Sequence, residues 1–228
     1  MATAFSKIFS FGYGALGVLR NLSIVTVLTT GYAVADEIVI AALGDSLTAG
    51  YGVAQGDGFV PQMDAWLEAQ GLQVDLRNAG VSGDTTAGGL SRVDWTLTPD
   101  VDGMIVTLGG NDYLRGIDPA VSRANLRGVL EAAEAKGVDV MMVGLRAGSN
   151  YGLEYKTEFE AMYSDLSAEF DVPLFPSFFQ GLQAAAGMQD GLAEFMQRDG
   201  IHPNAEGVRV IVAAMGPDVL AFAQGLQQ

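Results

Sequence analysis

Four short segments carry side chains that together could perform acyl transfer. Gly44-Asp45-Ser46-Leu47-Thr48-Ala49-Gly50 follows an apolar run directly. A serine at that junction sits at the carboxyl edge of a sheet, where its hydroxyl can face solvent while its own N–H points into a crevice. Ser46 is there either a nucleophile or a helix N-cap. In Asn78-Ala79-Gly80-Val81-Ser82-Gly83-Asp84-Thr85, Gly83 precedes a helical stretch. It is either a turn glycine or a free backbone N–H for a bound oxyanion. Gly109-Gly110-Asn111-Asp112 offers Asn111, whose amide is either a hydrogen-bond donor to a ligand or part of an Asx turn. Finally, Asp199-Gly200-Ile201-His202-Pro203-Asn204 places a carboxylate three residues before an imidazole, across a glycine that permits a turn. Asp199 can fix the tautomer of His202 and leave the other ring nitrogen free as a base. The alternative is a capping aspartate beside a surface histidine.

His202 is the only histidine of the 228 residues, and cysteine is absent. Thiolate nucleophiles, disulfides and zinc sites built from cysteines or several imidazoles are therefore excluded, and any neutral-pH imidazole base has to be His202. No metal or other cofactor is expected, because acyl transfer by a serine needs none. Asp45 and Asp112 read as local hydrogen-bond braces. The five-residue G-x-S-x-G elbow is missing, since Thr48 stands at its last glycine.

These segments need a scaffold that brings strand ends together. Apolar runs at Glu37 to Leu43, Gln73 to Leu76, Met104 to Leu108, Val138 to Leu145 and Pro173 to Phe175 read as strands. The first, third and fourth are nearly continuously apolar, as strands covered on both faces of a parallel sheet are. Helical spacing occupies Phe59 to Gln70, Thr85 to Leu97, Pro119 to Lys136, Glu154 to Phe170 and Ala205 to Gln224. This alternation predicts one three-layer α/β/α domain over residues 36–228 with a five-stranded parallel sheet. Ligands of such sheets collect beyond the carboxyl ends of the strands, where strand order reverses.

Composition narrows the partners. Apolar residues make up 49% of the chain, and 12 Lys and Arg stand against 27 Asp and Glu, a net charge of −15. That field repels nucleic acid. Residues 1–35 contain no acid, carry Lys7 and Arg20, and end in an apolar run closing on Ala33-Val34-Ala35, the pattern of a signal peptide. Export to the periplasm or medium is expected, with no stable membrane span once the leader is removed, and a monomer. Gly12-Tyr13-Gly14-Ala15-Leu16-Gly17 matches the dinucleotide fingerprint but follows no strand and lies within the leader, so it is rejected as a cofactor site.

In order and spacing, Gly44-Asp45-Ser46-Leu47, Ser82-Gly83-Asp84-Thr85, Gly109-Gly110-Asn111-Asp112 and Asp199-Gly200-Ile201-His202-Pro203 resemble the four blocks of the SGNH, or GDSL, hydrolase superfamily. The likeness is to its exported thioesterase I / lysophospholipase L1 / arylesterase-like branch, and it extends through Asn150-Tyr151-Gly152 and Glu169 to Leu174. It implies a flavodoxin-like sheet of order 2-1-3-4-5. It also implies Ser46 as nucleophile, His202 as base and then acid, and Asp199 as its orienter. The oxyanion hole is implied to be the N–H groups of Ser46 and Gly83 with the Asn111 amide. The expected activity is hydrolysis of small-molecule aryl, fatty-acyl or lysophospholipid esters, and of acyl thioesters, through an acyl-serine. A carbohydrate O-acetylesterase is the alternative, and a non-catalytic envelope binding module a more distant one. Phe175, Phe178, Phe179, Leu182, Met188, Phe195 and Met196 either line an acyl groove or belong to the core.

Overall fold

A computed structural model describes residues 37–185 and 192–227. The expected leader, its glycine fingerprint and Met188 lie outside the described residues.

Five parallel strands, β1 (Ile38–Gly44), β2 (Val74–Gly80), β3 (Gly103–Thr107), β4 (Asp139–Val143) and β5 (Leu174–Phe175), form a sheet of order β2-β1-β3-β4-β5. The chain reverses direction across the sheet between β1 and β3, so the ends of those two strands lie side by side. The longer helices are α2 (Phe59–Ala69), α3 (Thr86–Thr96), α5 (Pro119–Lys136), α6 (Gly152–Phe170) and α8 (Ala205–Gly225). Between them stand three short ones, α1 (Ser46–Ala49), α4 (Gly110–Arg115) and α7 (Gln180–Ala185). Helices α3, α5 and α6 pack side by side in one layer, while α2, α7 and α8 form the other.

Burial explains this arrangement. Ile40 and Leu43 of β1, Met104 of β3 and Val143 of β4 are fully inaccessible, each side chain stabilising the sheet by roughly 1.5–3 kcal/mol. Helix α5 starts on Asp118, whose carboxylate accepts the Ala120 N–H, and on Pro119; it stops at Gly137 in the left-handed region.

Two departures from the sequence reading matter. Strand β2 runs on to Gly80 through the polar residues Arg77 and Asn78, because an edge strand with a half-exposed face tolerates polarity that hydropathy reads as a loop. Helices α1 and α4 are too short to show a helical period, yet both cap strand ends at the reversal.

Candidate active site

Glycine sets the floor of the site. A Cβ on Gly44 would collide with the Thr48 side chain, and one on Gly80 with the backbone of Ala49. These two paired positions at the ends of β1 and β2 let α1 sit directly on the sheet. The N-cap of α1 is Asp45, whose carboxylate accepts the Leu47 N–H at 3.0 Å. Ser46 is therefore the first helical residue and not the cap, and its hydroxyl is free for another partner.

That partner is His202. Its Nε2 lies 2.8 Å from Ser46 Oγ, and its Nδ1 lies 2.7 Å from Asp199 Oδ2. The other oxygen of Asp199 accepts the N–H groups of Ile201 at 2.9 Å and His202 at 3.0 Å. Asp199 thus caps its turn and contacts the ring at once. Chiefly the backbone N–H of His202, then its ring and the N–H of Ile201, hold the Asp199 carboxyl down at about 2. It stays ionised across the working range. Gly200, at φ +68°, makes the turn that lets the chain double back.

Asn111, in the first turn of α4, donates from Nδ2 to Asp45 Oδ2 at 3.2 Å. It forms no Asx turn. With one amide hydrogen held by Asp45, the other can serve a ligand, and Asn111 lines the same cavity as Ser46 and His202. Gly83 has φ +88° and is a turn glycine in conformation. The Val81 N–H donates to Gly44 O at 3.0 Å and ties its loop to the end of β1, and no acceptor for the Gly83 N–H occurs among the described residues. Gly83 is not, however, part of the cavity lining.

The cavity measures about 210 Å³ and its walls are mainly apolar, with Leu47, Tyr113, Leu114, Leu145, Phe159 and Phe179 among them. Of the described residues offered as an acyl groove, only Phe179 reaches it. Phe175, Phe178 and Leu182 are buried in the core, and Phe195 and Met196 pack against it. For the described residues the groove reading is corrected accordingly: apart from Phe179, the lining comes from the segments after β1, β3 and β4, from α6 and from the histidine loop.

Both braces are visible. Asp112 is inaccessible and accepts from Thr86 N at 2.8 Å, Thr86 Oγ1 at 2.5 Å and Ser122 Oγ at 2.9 Å, fixing α4 to α3 and α5. Asp45 is almost fully buried, and desolvation pushes its carboxyl up to about 6 from 3.8 despite the opposing bonds from Leu47 and Asn111. The sign follows from linkage. Between those values the folded chain holds a proton that the unfolded chain has released, so stability falls as pH rises through that window. An Asp45→Asn variant has no such titration. Denaturant unfolding of both proteins at pH 4 and pH 7 is expected to show the wild type losing about 2 kcal/mol relative to the variant. Equal pH slopes would assign the carboxylate an ordinary titration.

Residues 42–210 match the model of the GDSL-like lipase/acylhydrolase family. The chain belongs to this family. It is 36% identical over 178 residues to esterase TesA of Pseudomonas aeruginosa, a span of 78% of this chain and 84% of that protein. It is likewise 36% identical over 181 residues to thioesterase 1/protease 1/lysophospholipase L1 of Escherichia coli, covering 78% of this chain and 81% of that one. Among solved structures it resembles AlinE4, an SGNH-hydrolase family esterase, with a TM-score of 0.66 and 40% identity over 82% of this chain and 96% of that one. This GDSL-like chain is accordingly a serine hydrolase acting on ester bonds, with the SGNH fold.

Three residues that position the hydrolase site escaped the sequence reading. Tyr51 lays its ring against His202, centroids 4.6 Å apart. Gln197 Nε2 donates to Tyr51 O at 2.7 Å and Pro203 O at 2.9 Å, which joins the histidine loop to the serine loop. Arg92 pairs with Asp84 and also donates to Ala79 O at 2.7 Å and Gly44 O at 2.8 Å, binding the ends of β1 and β2 to α3. None lies within a motif segment, and a polar residue in a loop or on a helix carries no sign of a partner that the fold delivers from far along the chain.

Proposed function

We propose that Ser46 is the nucleophile, His202 the general base and then acid, and Asp199 the residue that orients the ring, in an exported carboxylesterase. The observation that carries this is the continuous contact Asp199–His202–Ser46, at 2.7 and 2.8 Å. Ser46 Oγ attacks the ester carbonyl while Nε2 takes its proton, and the imidazolium then protonates the departing alkoxide. Water, activated by the same nitrogen, attacks the acyl-serine and releases the acid.

The tetrahedral oxyanion is received by the N–H groups of Ser46 and Gly83 and by the Asn111 amide. Asn111→Ala is expected to lower kcat by about 10²–10³ with a much smaller change in KM, since the donor acts where charge develops. An effect confined to KM would remove Asn111 from this role.

The substrate is an aryl or fatty-acyl ester whose acyl or aryl portion enters the apolar cavity. At about 210 Å³ the cavity is smaller than the roughly 300–1,000 Å³ of sites that enclose a drug-sized ligand, so the polar part of a lysophospholipid would remain outside. The names of the relatives, esterase and lysophospholipase, agree with this class. Activity restricted to acetyl esters across a chain-length series would favour the carbohydrate O-acetylesterase instead. Export rests on the acid-free leader ending at Ala33-Val34-Ala35, and a secreted product starting at Asp36 is its mark.

The decisive experiment is covalent trapping with an organophosphonate, followed by mass mapping of the labelled peptide. Label on Ser46 is the expected result. A native, folded protein that takes no label would overturn the assignment.

A further inference from the structure

The charge balance of the described residues contains one anomaly. The chain carries more than twice as many acids as bases, and most of the described cations find a carboxylate. Both described lysines are ion-paired, and so is every described arginine except Arg115, Arg146 and Arg198. Arg115 is engaged with the carbonyl oxygen of Gly83 at 2.8 Å. Of the other two, only Arg146 lines the cavity that holds Ser46, Asn111 and His202.

We propose that Arg146 makes this site selective for esters that bear an oxyanion, such as a carboxylate, besides the scissile bond. The inference rests on the esterase reading above and names its substrate class.

The described carboxylates of the site, and the one that holds the backbone beside Arg146, already have partners. Asp45 serves the Leu47 N–H and the Asn111 amide, and Asp199 serves His202 and Ile201. Glu160 pairs with Lys156 and accepts the Ala147 N–H at 3.2 Å. The Lys156 ammonium also donates to Ala147 O at 2.7 Å. The backbone immediately after Arg146 is therefore clamped from both sides, and Ala147 is buried, while Arg146 itself is exposed at the cavity. A guanidinium on a fixed backbone, with no acceptor for its donors among the described residues, recognises a carboxylate by two parallel hydrogen bonds. The net charge of −15 opposes the approach of any anion. Acceptance of an acidic ester then depends on a local cation, and removal of that cation should be strongly selective.

The test compares two matched pairs of esters on the full chain. In the first pair the anion is on the acyl side: the 4-nitrophenyl hemiester of glutaric acid against 4-nitrophenyl pentanoate. In the second it is on the alcohol side: 4-acetoxybenzoate against phenyl acetate. In Arg146→Ala the anionic-to-neutral ratio of kcat/KM is expected to fall at least tenfold in one of the pairs, chiefly through KM. The pair that responds shows which side of the ester faces Arg146. Arg146→Lys restores part of the ratio, and Arg146→Glu depresses it below that of the alanine variant. Neutral-ester turnover in each variant shows that the protein is folded and competent. Ratios unchanged in both pairs for the alanine and glutamate variants overturn the proposal and leave the esterase reading intact. A folded wild type inert toward all four esters defeats the esterase reading, and this inference with it.

Discussion

Ser46→Ala and His202→Ala are each expected to reduce kcat on an aryl ester by roughly 10⁶, and the double variant by about the same factor rather than by the product. The two side chains are the ends of a single 2.8 Å contact. Without the imidazole the hydroxyl keeps its proton and is a poor nucleophile at neutral pH; without the hydroxyl the imidazole has nothing to deprotonate but water. No substitute base is available, because the chain contains no other histidine. A residual acceleration of about 10³–10⁴ over water is expected from the oxyanion donors and binding alone. Both variants should fold, since Ser46 caps no helix and the backbone of the His202 loop is held by Gln197 N donating to His202 O at 2.8 Å and Asn204 N to Phe195 O at 2.8 Å. The measurement is kcat for the three proteins on one aryl ester, with thermal melts as the folding control. Independent, multiplicative losses would mean that the two residues do not act as a unit.

Asp199→Asn is expected to cost about 10⁴ in kcat while leaving the melt nearly unchanged. The amide oxygen of asparagine can still accept the N–H groups of Ile201 and His202, so the turn survives. What changes is the group facing the ring. An amide NH₂ opposite Nδ1 forces that nitrogen to accept, which moves the ring proton to Nε2, the atom that must take the proton from Ser46. Asp199→Ala removes both the orienting contact and the turn acceptor, so it should lose stability as well as rate. The pair of variants separates positioning of the ring from support of the loop. An asparagine variant with activity near wild type would place the tautomer under the control of another group.

The fold was largely legible because its elements speak through period and burial. Helix α5 begins and ends where Pro119 and Gly137 mark it, and β1 and β3 are nearly continuously apolar because layers bury both their faces. The short helices α1 and α4 were not legible, and they carry Ser46 and Asn111. A four- or six-residue helix shows no period, and α1 has room on the sheet only because positions 44 and 80 are glycine. The lining of the cavity misled for a related reason. Composition marks Phe175, Phe178 and Leu182 as apolar, but whether an apolar side chain faces a ligand or the core depends on the layer packed against it, and here α8 covers α7.

The sequence by itself determined the inventory: a lone imidazole, no thiol, a serine at a strand end, a carboxylate three residues before the histidine, and the alternation that makes a parallel sheet. Those follow from residue type and near-neighbour spacing, which a linear chain records directly. Only the tertiary structure decided that Ser46 and His202, 156 residues apart, touch, that Asn111 is held by Asp45, and that Arg146 lines the cavity with no carboxylate partner among the described residues. Such contacts are settled by which strand ends the sheet order makes adjacent, and that adjacency arises from burying the whole core at once.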